Sequence, residues 1–590
     1  KRDGTIEKYK ATKIGDAVCA AFASIGEVCP AEALKTLIAD IEKELEGIAE
    51  NGSVRVEQIQ DNVEIELMRA GFYRQARRFI LYREERAKDR AYINEIEQTV
   101  GLEGMHRLLK DVQRDYPHLC KSFGKLVSKY HAFHKPSMTA EEGLHALTRA
   151  AVECITAEEP DWEFVAGRLY SFQNDLNIRR KMEGLQLQSL YDKLSYLTTE
   201  GYYGAYILES YTKAEIDLAD TFLQPERDRL LTYSGLDLLL RRYTVRNFVH
   251  EQLETPQEMY LGIALHLAMR ETQNRMDHVR AFYDMLSKQQ VSMATPTLAN
   301  ARKPHHQMSS CFIDTVDDSL EGIYRSIANF ANVSKFGGGM GLYFGKVRAN
   351  GSDIRGYKGA AGGVIRWIKL ANDTAVAVDQ LGVRSGAVAC YLDVWHKDIL
   401  DFLQLRTNNG DDRMKAHDVF PAVCYPDLFW KKVREGLDQS WYLMCPHEIQ
   451  TIKGYALEDS YGDEWEQRYN DCVNDARITK TEVLLKDLIR LILKSAIETG
   501  TPFAFFRDHV NRMNPNKHKG IIYSSNLCVE IAQNMSPIQS VQIETMKTPE
   551  GDDIIVEKTK AGDFVVCNLA SLVVSKINFD DEAEVKRVVY

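Results

Sequence analysis

The sequence predicts an α/β protein, helical through its first half and built on a largely parallel sheet in its second. Three observations carry this. Apolar residues recur at helical spacing in successive stretches up to about residue 290. Ten of the 37 glycines then fall between Gly337 and Gly363. From about residue 291, short apolar runs such as Leu342-Tyr343-Phe344 and Ala387-Val388-Ala389-Cys390-Tyr391-Leu392 alternate with helical patterns. Strands alternating with helices build a parallel sheet, open or closed into a barrel.

The bounds set by composition agree. At roughly 150 residues per domain, 590 residues suffice for about four domains and a large core. With 44% hydrophobic and 27% charged residues the chain reads as folded. Its net charge of −11 argues against non-specific binding to nucleic acid or an anionic membrane, so phosphate-bearing ligands need local basic residues and backbone amides. No apolar run approaches the roughly 18 residues of a membrane span. The opening Lys1-Arg2-Asp3-Gly4 is not a signal peptide, which makes the cytoplasm the expected location. None of the eleven cysteines stands in C-x-x-C spacing, which disfavours a zinc ribbon or thioredoxin-type motif.

Lys1-Arg2-Asp3-Gly4-Thr5 reads as a hairpin turn with Asp-Gly at its tip. Ile14, Val18, Ala21, Phe22 and Ile25 then mark a helix that Gly26 ends. A second amphipathic stretch runs through Val56, Ile59, Val63 and Leu67 to Gly71, and a third from Ala76 to Arg86. The charged run Arg83–Arg90 is expected to be a solvated helix face serving as a linker. Residues 96–180 read as helical, punctuated by Pro117, Pro136 and Pro160, with the look of a degenerate repeat of the first module. The E-x-x-H pairs Glu103/His106 and Glu142/His145 are ordinary helix-surface pairs on this reading, since no pattern places the further glutamates of a di-metal site. Residues 181–290 are helix-rich and carry no obvious chemistry. The clearest helix spans 481–499, with Leu484, Leu485, Leu488, Ile489, Ile492 and Ala496 in a stripe and Gly500 at its end; the strand-like Pro502–Phe506 follows. The run Gly337-Gly338-Gly339-Met340-Gly341 fails the dinucleotide fingerprint, and close approach of another backbone or a ligand explains it better.

Three cysteine neighbourhoods stand out: Ala294–Asn300 continuing to Gln307-Met308-Ser309-Ser310-Cys311-Phe312, then Ser525-Asn526-Leu527-Cys528-Val529-Glu530-Ile531, and Val566-Cys567-Asn568-Leu569-Ala570. A thiol can carry a radical, a nearby carboxylate can take a proton, and two other thiols can close to a disulfide. The plain alternative is three separately buried cysteines. Alternation along Asn526–Glu530 would place Asn526, Cys528 and Glu530 on one side of an extended segment, with Leu527 and Val529 packed on the other.

Together these neighbourhoods resemble the catalytic subunit of class I ribonucleotide reductase, and the opening module resembles that family's ATP-cone. The resemblance covers the whole chain and implies a ten-stranded α/β barrel of which the first part is present. By it, Cys528 becomes a thiyl radical, Glu530 deprotonates the 3′-hydroxyl, Asn526 binds the sugar, and Cys311 protonates the leaving 2′-hydroxyl and pairs with Cys567. Thr295, Ser310, Gly339 and Arg384 fall at substrate positions. Asp318, Arg348, Arg355 and Gln380 match the specificity-effector site, and Lys1, Arg2, Glu7 and Lys13 match the ATP/dATP site of the cone. The implied domains are a cone at 1–95, a second cone-like domain at 96–180 that lacks the basic signature, a helical domain at 181–290, and barrel from 291 to 590. No metal site and no tightly bound cofactor is expected in the chain. The effectors would be ATP, dATP and other deoxynucleoside triphosphates with Mg. The radical would come from a metal-containing small subunit, the substrate would be a ribonucleoside diphosphate, and the reductant thioredoxin or glutaredoxin. A homodimer is implied, with higher oligomers on dATP binding; nucleic acid and membrane are not expected partners.

The family continues beyond the last motif found here, so a fragment, a partly traced chain or a split enzyme is expected, inactive by itself. Three alternatives stay open: an adenosylcobalamin-dependent reductase sharing the barrel and cysteine logic, a nucleotide-sensing regulator without catalysis, and an inactive scaffold subunit.

Overall fold

The computed structural model describes residues 6–49, 52–380, 382 and 385–589. The basic hairpin expected at residues 1–5, with Lys1 and Arg2, and the loop residue Arg384 lie outside the described residues. The chain divides into two compact units, residues 1–177 with 229–236, and residues 178–228 with 237–590.

The first unit is helical. Helix Ala11–Ala23 buries Ile14, Val18, Ala21 and Phe22 against Leu37, Ile41 and Leu45 of helix Ala31–Ile48 and Val63 and Leu67 of helix Val56–Arg69. Gly26 takes φ +78° just past the first helix, as a terminating glycine should. The charged run 83–90 is not a break: helix Tyr73–Val100 continues through it. Its start supplies Ala76 and Phe79 to the first core, and its end supplies Ile93, Ile96 and Val100 to a second. The boundary drawn at 95/96 thus falls inside one helix. The second core also takes Leu109, Leu126, Leu147 and Trp162 from the following helices. Thr139 and Glu142 form a reciprocal capping box at the start of helix Ala140–Glu153, and His106 bonds Glu97 at 2.6 Å. One member of each E-x-x-H pair, Glu142 and His106, is thus engaged in an ordinary helix contact.

In the second unit, helices such as Pro256–Ala268 and Arg275–Ser287 precede a six-stranded sheet. Its strands in chain order are β1 (Cys311–Thr315), β2 (Gly339–Tyr343), β3 (Val388–Asp393), β4 (Val419–Tyr425), β5 (Phe503–Phe506) and β6 (Val565–Cys567). The spatial order is β6-β1-β2-β3-β4-β5, parallel throughout except that β6 runs antiparallel to β1. Parallel strands covered on both faces read as unbroken apolar runs, and all six residues of β3 are buried. The period of two sorts them. Val388, Cys390 and Leu392 pack against Ile323 and Phe330 of helix Leu320–Lys335 and Ile365 and Ile368 of helix Val364–Ala377. Ala389 and Tyr391 face the other way, with Ile313, Tyr343, Ala422, Cys424, Phe505 and Val565, onto the segment Ile522–Ile531.

The helix predicted at 481–499 is corrected at its start. Lys480–Leu484 pairs antiparallel with Ser440–Met444, and the helix runs Leu485–Thr499. Thr481 and Val483 are β-branched, and Val483 lies opposite Trp441, so strand pairing displaces the first helical turn. Leu484, placed in the buried stripe, is 43% exposed. Gly500 ends the helix at φ +71° as expected.

Candidate active site

The antiparallel register of β6 on β1 sets Cys567 directly opposite Cys311. Directly opposed residues of an antiparallel ladder have Cα atoms roughly 4.5–5.5 Å apart and side chains on one face, within the span a disulfide needs. Cys311 shares its face of β1 with Ile313, so both sulfurs look toward the segment that crosses the sheet.

That segment is a turn, which corrects the extended reading of Asn526–Glu530. Leu527 and Cys528 form the turn, and Val529 has φ +66°. The side chain of Asn526 closes it: its Oδ1 accepts from the backbone N of Glu530 at 3.1 Å and of Ile531 at 3.2 Å, and its Nδ2 donates to Glu530 Oε1 at 2.7 Å. An Asn carbonyl mimicking a backbone acceptor is the local chemistry that makes this turn. The facing inferred from alternation survives in part. Leu527 and Val529 pack on the inner core, Asn526 and Glu530 meet, and Cys528 at the tip is exposed.

Glycines admit the turn to the sheet. A Cβ on Gly341 would lie 2.0 Å from Ser525 O, and one on Gly339 would lie 2.7 Å from Leu527 Cδ2. Close backbone approach, one of the two readings of the glycine run, is what the structure shows. Tyr391 Oη donates to Asn526 O at 2.5 Å, and Ser525 Oγ donates to Ile531 O at 2.6 Å.

The turn delivers Glu530 to the dithiol: Cys311 Sγ donates to Glu530 Oε1 at 3.5 Å. Burial pushes the Cys311 thiol up to about 12; Cys567 and the Glu530 carboxylate add to this, while the Ser310 hydroxyl, 3.3 Å from the sulfur, opposes it. At neutral pH Cys311 therefore holds its proton. Ser310 O also accepts from Gly339 N at 2.8 Å, and Thr295 opens the helix Thr295–Asn300 with its Oγ1 3.2 Å from Tyr243 Oη. The structure thus brings together Asn526, Glu530, Cys311, Cys567, Ser310 and Gly339, with Cys528 on the same turn.

Two residue sets that the sequence offered for effectors lie elsewhere. Asp318 and Arg348 pair with each other: Arg348 N and Nε donate to the carboxylate at 3.0 and 2.8 Å, and Arg348 Nη1 donates to Asp353 O at 2.6 Å. Burial raises the Asp318 carboxyl against the pull of Arg348. Arg355 is exposed at φ +55°, and Gln380 is buried, donating to Gly338 O at 3.2 Å. In the first unit, Lys13 pairs with Glu7 at 3.1 Å on the wall of a cavity of about 1700 Å³, which Lys10, Arg55, Tyr82 and Arg90 also line.

Sequence reading missed Tyr391, the group that holds Asn526. It also missed a fully buried polar cluster on the same face, in which Arg507 Nη1 donates to Asp393 at 2.8 Å and Tyr343 Oη to the same carboxylate. The available signal was a tyrosine and an aspartate two apart in an otherwise apolar run, which share a face by the period of two.

An α/β sheet that carries a closable dithiol, with a carboxylate on one of its thiols and a third cysteine on an inserted turn, defines a thiol-dependent reductase site. Comparison with known proteins agrees. Residues 309–590 match the ribonucleotide reductase barrel domain, 229–306 its all-alpha domain, and 1–88 the ATP cone domain. The chain is 56% identical over 593 residues to the ribonucleoside-diphosphate reductase subunit alpha of Treponema pallidum, covering all of this chain and 70% of that one. The Helicobacter pylori J99 subunit of that name is 38% identical over 77% of this chain and 60% of its own, and the Synechocystis subunit 37% over 75% and 54%. The chain belongs to the ribonucleotide reductase large-subunit family. Among the described residues no helix is long and apolar enough to cross a membrane, and no group of three or more His, Cys, Asp or Glu is placed to hold a metal ion.

Proposed function

We propose that this chain carries the catalytic thiols for reducing ribonucleoside diphosphates to 2′-deoxyribonucleoside diphosphates. The observation that carries the reading is the Cys311–Cys567 register with Glu530 hydrogen-bonded to Cys311. Cys528, as a thiyl radical, takes the 3′-hydrogen; Glu530 takes the 3′-hydroxyl proton; and Cys311, protonated at neutral pH, gives its proton to the departing 2′-hydroxyl, which leaves as water. Cys311 and Cys567 then become a disulfide: two electrons pass to the sugar, the Cys567 hydrogen goes to C2′, Glu530 returns its proton to the 3′-oxygen, and Cys528 returns the 3′-hydrogen and recovers its radical. Asn526 holds Glu530 in place and reaches the sugar, and Thr295, Ser310, Gly339 and Arg384 serve to bind the substrate. A metal-containing small subunit supplies the oxidising equivalent to Cys528, and a thioredoxin- or glutaredoxin-type dithiol re-reduces the disulfide.

Control is by nucleotides. Asp318, Arg348, Arg355 and Gln380 form the specificity site, and Lys1, Arg2, Glu7 and Lys13 serve the activity site, Glu7 and Lys13 from the wall of the first unit's cavity, both sites taking nucleoside triphosphates with Mg. A dimer that assembles further with dATP in the cytoplasm completes the reading. The test is reduction of a ribonucleoside diphosphate by the protein with its small subunit and a dithiol. Deoxynucleotide that disappears in Cys528→Ser supports it; product formed equally by Cys528→Ser sinks it.

A further inference from the structure

We propose that Asp398, a residue outside every motif above, positions the loop that bears Arg348 and Arg355; this rests on the reading of those arginines as effector contacts. The loop leaves β2, carries both arginines, and returns at helix Val364–Ala377. Asp398 sits in the turn after β3, only 5% exposed. Its carboxylate holds both necks of the loop: Asn350 N donates to Oδ1 at 3.0 Å and Oδ2 at 3.1 Å, and Val364 N donates to Oδ2 at 3.0 Å. Hydrogen bonds from backbone N–H to a carboxylate are among the strong ones.

The surroundings are built for this carboxylate. Gly363 has φ +72°, and a Cβ there would lie 2.4 Å from Asp398 Oδ2, so only glycine lets the carboxylate reach Val364. The neck is closed a second time by Gly351 N to Ala361 O at 2.9 Å and Ala361 N to Ser352 O at 3.2 Å. His396, two residues before Asp398, donates from Nε2 to Val347 O at 2.9 Å and accepts from Asp398 N on Nδ1 at 3.1 Å. Arg348 is thereby bracketed, with Val347 held by His396 and Asn350 by Asp398. Its guanidinium reaches Asp318 from a backbone that one turn fixes at both sides. Arg355 rides on the excursion between the two necks. Binding a triphosphate with two long side chains costs less when their backbones are already ordered, so Asp398 contributes to effector affinity without touching the effector.

The experiment compares dTTP binding by equilibrium dialysis, and backbone hydrogen exchange, in the wild-type protein, Asp398→Asn and Asp398→Ala. Asp398→Asn keeps the shape and one acceptor, and guards against misfolding of the alanine variant. The expected result is dTTP affinity weakened about tenfold in Asp398→Asn and further in Asp398→Ala. Asn350 and Val364 amides should exchange faster while those of Val388–Asp393 keep wild-type protection. Wild-type affinity in Asp398→Asn overturns the inference, and so does equal loss of protection in β3, which would mark a merely structural role. Wild-type protein that binds no dTTP instead removes the effector-site reading on which the inference stands.

Discussion

An iodoacetamide pulse at pH 8 is expected to mark Cys311 far more slowly than an ordinary thiol. Burial, with Cys567 and Glu530 pushing the same way, raises its thiol to about 12. At pH 8 such a thiol is roughly one part in 10⁴ thiolate, whereas an unperturbed one near 8.5 is roughly a quarter ionised. The ratio is roughly 2 × 10³. A more basic thiolate is the better nucleophile, and a Brønsted slope of about 0.4–0.5 returns a factor of roughly 25–55. Cys311 should therefore react roughly 40- to 100-fold more slowly than a small-molecule cysteine reference on ionisation alone. Its 6% exposure slows it further. The assay is quantitation of the Cys311 peptide by mass spectrometry against pulse length, with the exposed Cys528 expected to be marked first among the three. Glu530→Gln removes the carboxylate that accepts from Cys311 Sγ at 3.5 Å, so Cys311 should then react faster at the same pH. Labelling of Cys311 within a few-fold of the reference would refute the assignment of Cys311 as the retained proton.

Four further outcomes are expected. Withholding the external dithiol after one turnover should leave Cys311 and Cys567 as one cross-linked peptide pair, absent in Cys567→Ser. Glu530→Gln should lower kcat by about 10²–10⁴, the usual worth of a positioned base, with a smaller change in KM. Gly341→Ala places a Cβ 2.0 Å from Ser525 O; overpacking of this kind costs about 1–3 kcal/mol, and the variant should both melt earlier and lose turnover. His266, buried beside Tyr206 and facing His306, is lowered to about 4, chiefly by desolvation. Its neutral form is favoured on folding, so its contribution is present above the unfolded value of about 6.5. That contribution fades as pH falls from there toward 4, and His266→Gln should flatten this limb of the melting-temperature profile.

How much of this was legible follows from which forces fix each part. Helix Ala11–Ala23 was readable because Ile14, Val18 and Phe22 obey a local period and Gly26 ends it. The inner sheet was readable as apolar runs, since β3 is buried on both faces. Helix Leu485–Thr499 was misjudged at its first turn because Ser440–Met444, forty residues earlier, claims Lys480–Leu484 as a strand partner. No window of residues around 484 contains that competitor. The same limit hid Asp398 and Tyr391, whose importance lies wholly in bonds to Asn350, Val364 and Asn526.

The turn at Asn526–Glu530 shows how a wrong local conformation can still yield the right neighbours. An extended strand would bring residues 526, 528 and 530 to one side by its period of two. The structure reaches the Asn526–Glu530 meeting by another route, with the Asn526 side chain replacing a strand partner and Val529 crossing into the left-handed region. A non-glycine residue at positive φ is held there by its surroundings. Here Tyr391 grips Asn526 from the sheet, Gly341 leaves room for Ser525, and Leu527 fills the space beside Gly339. Each of these contacts spans more than 130 residues of sequence, so the sheet places the turn that Asn526 closes, and with it Cys528. Relaxing the sheet side alone, by Tyr391→Phe, should consequently change the exchange protection of Glu530 and Ile531 amides, which bond to the Asn526 side chain and not to Tyr391; unaltered protection would mean that the turn holds itself.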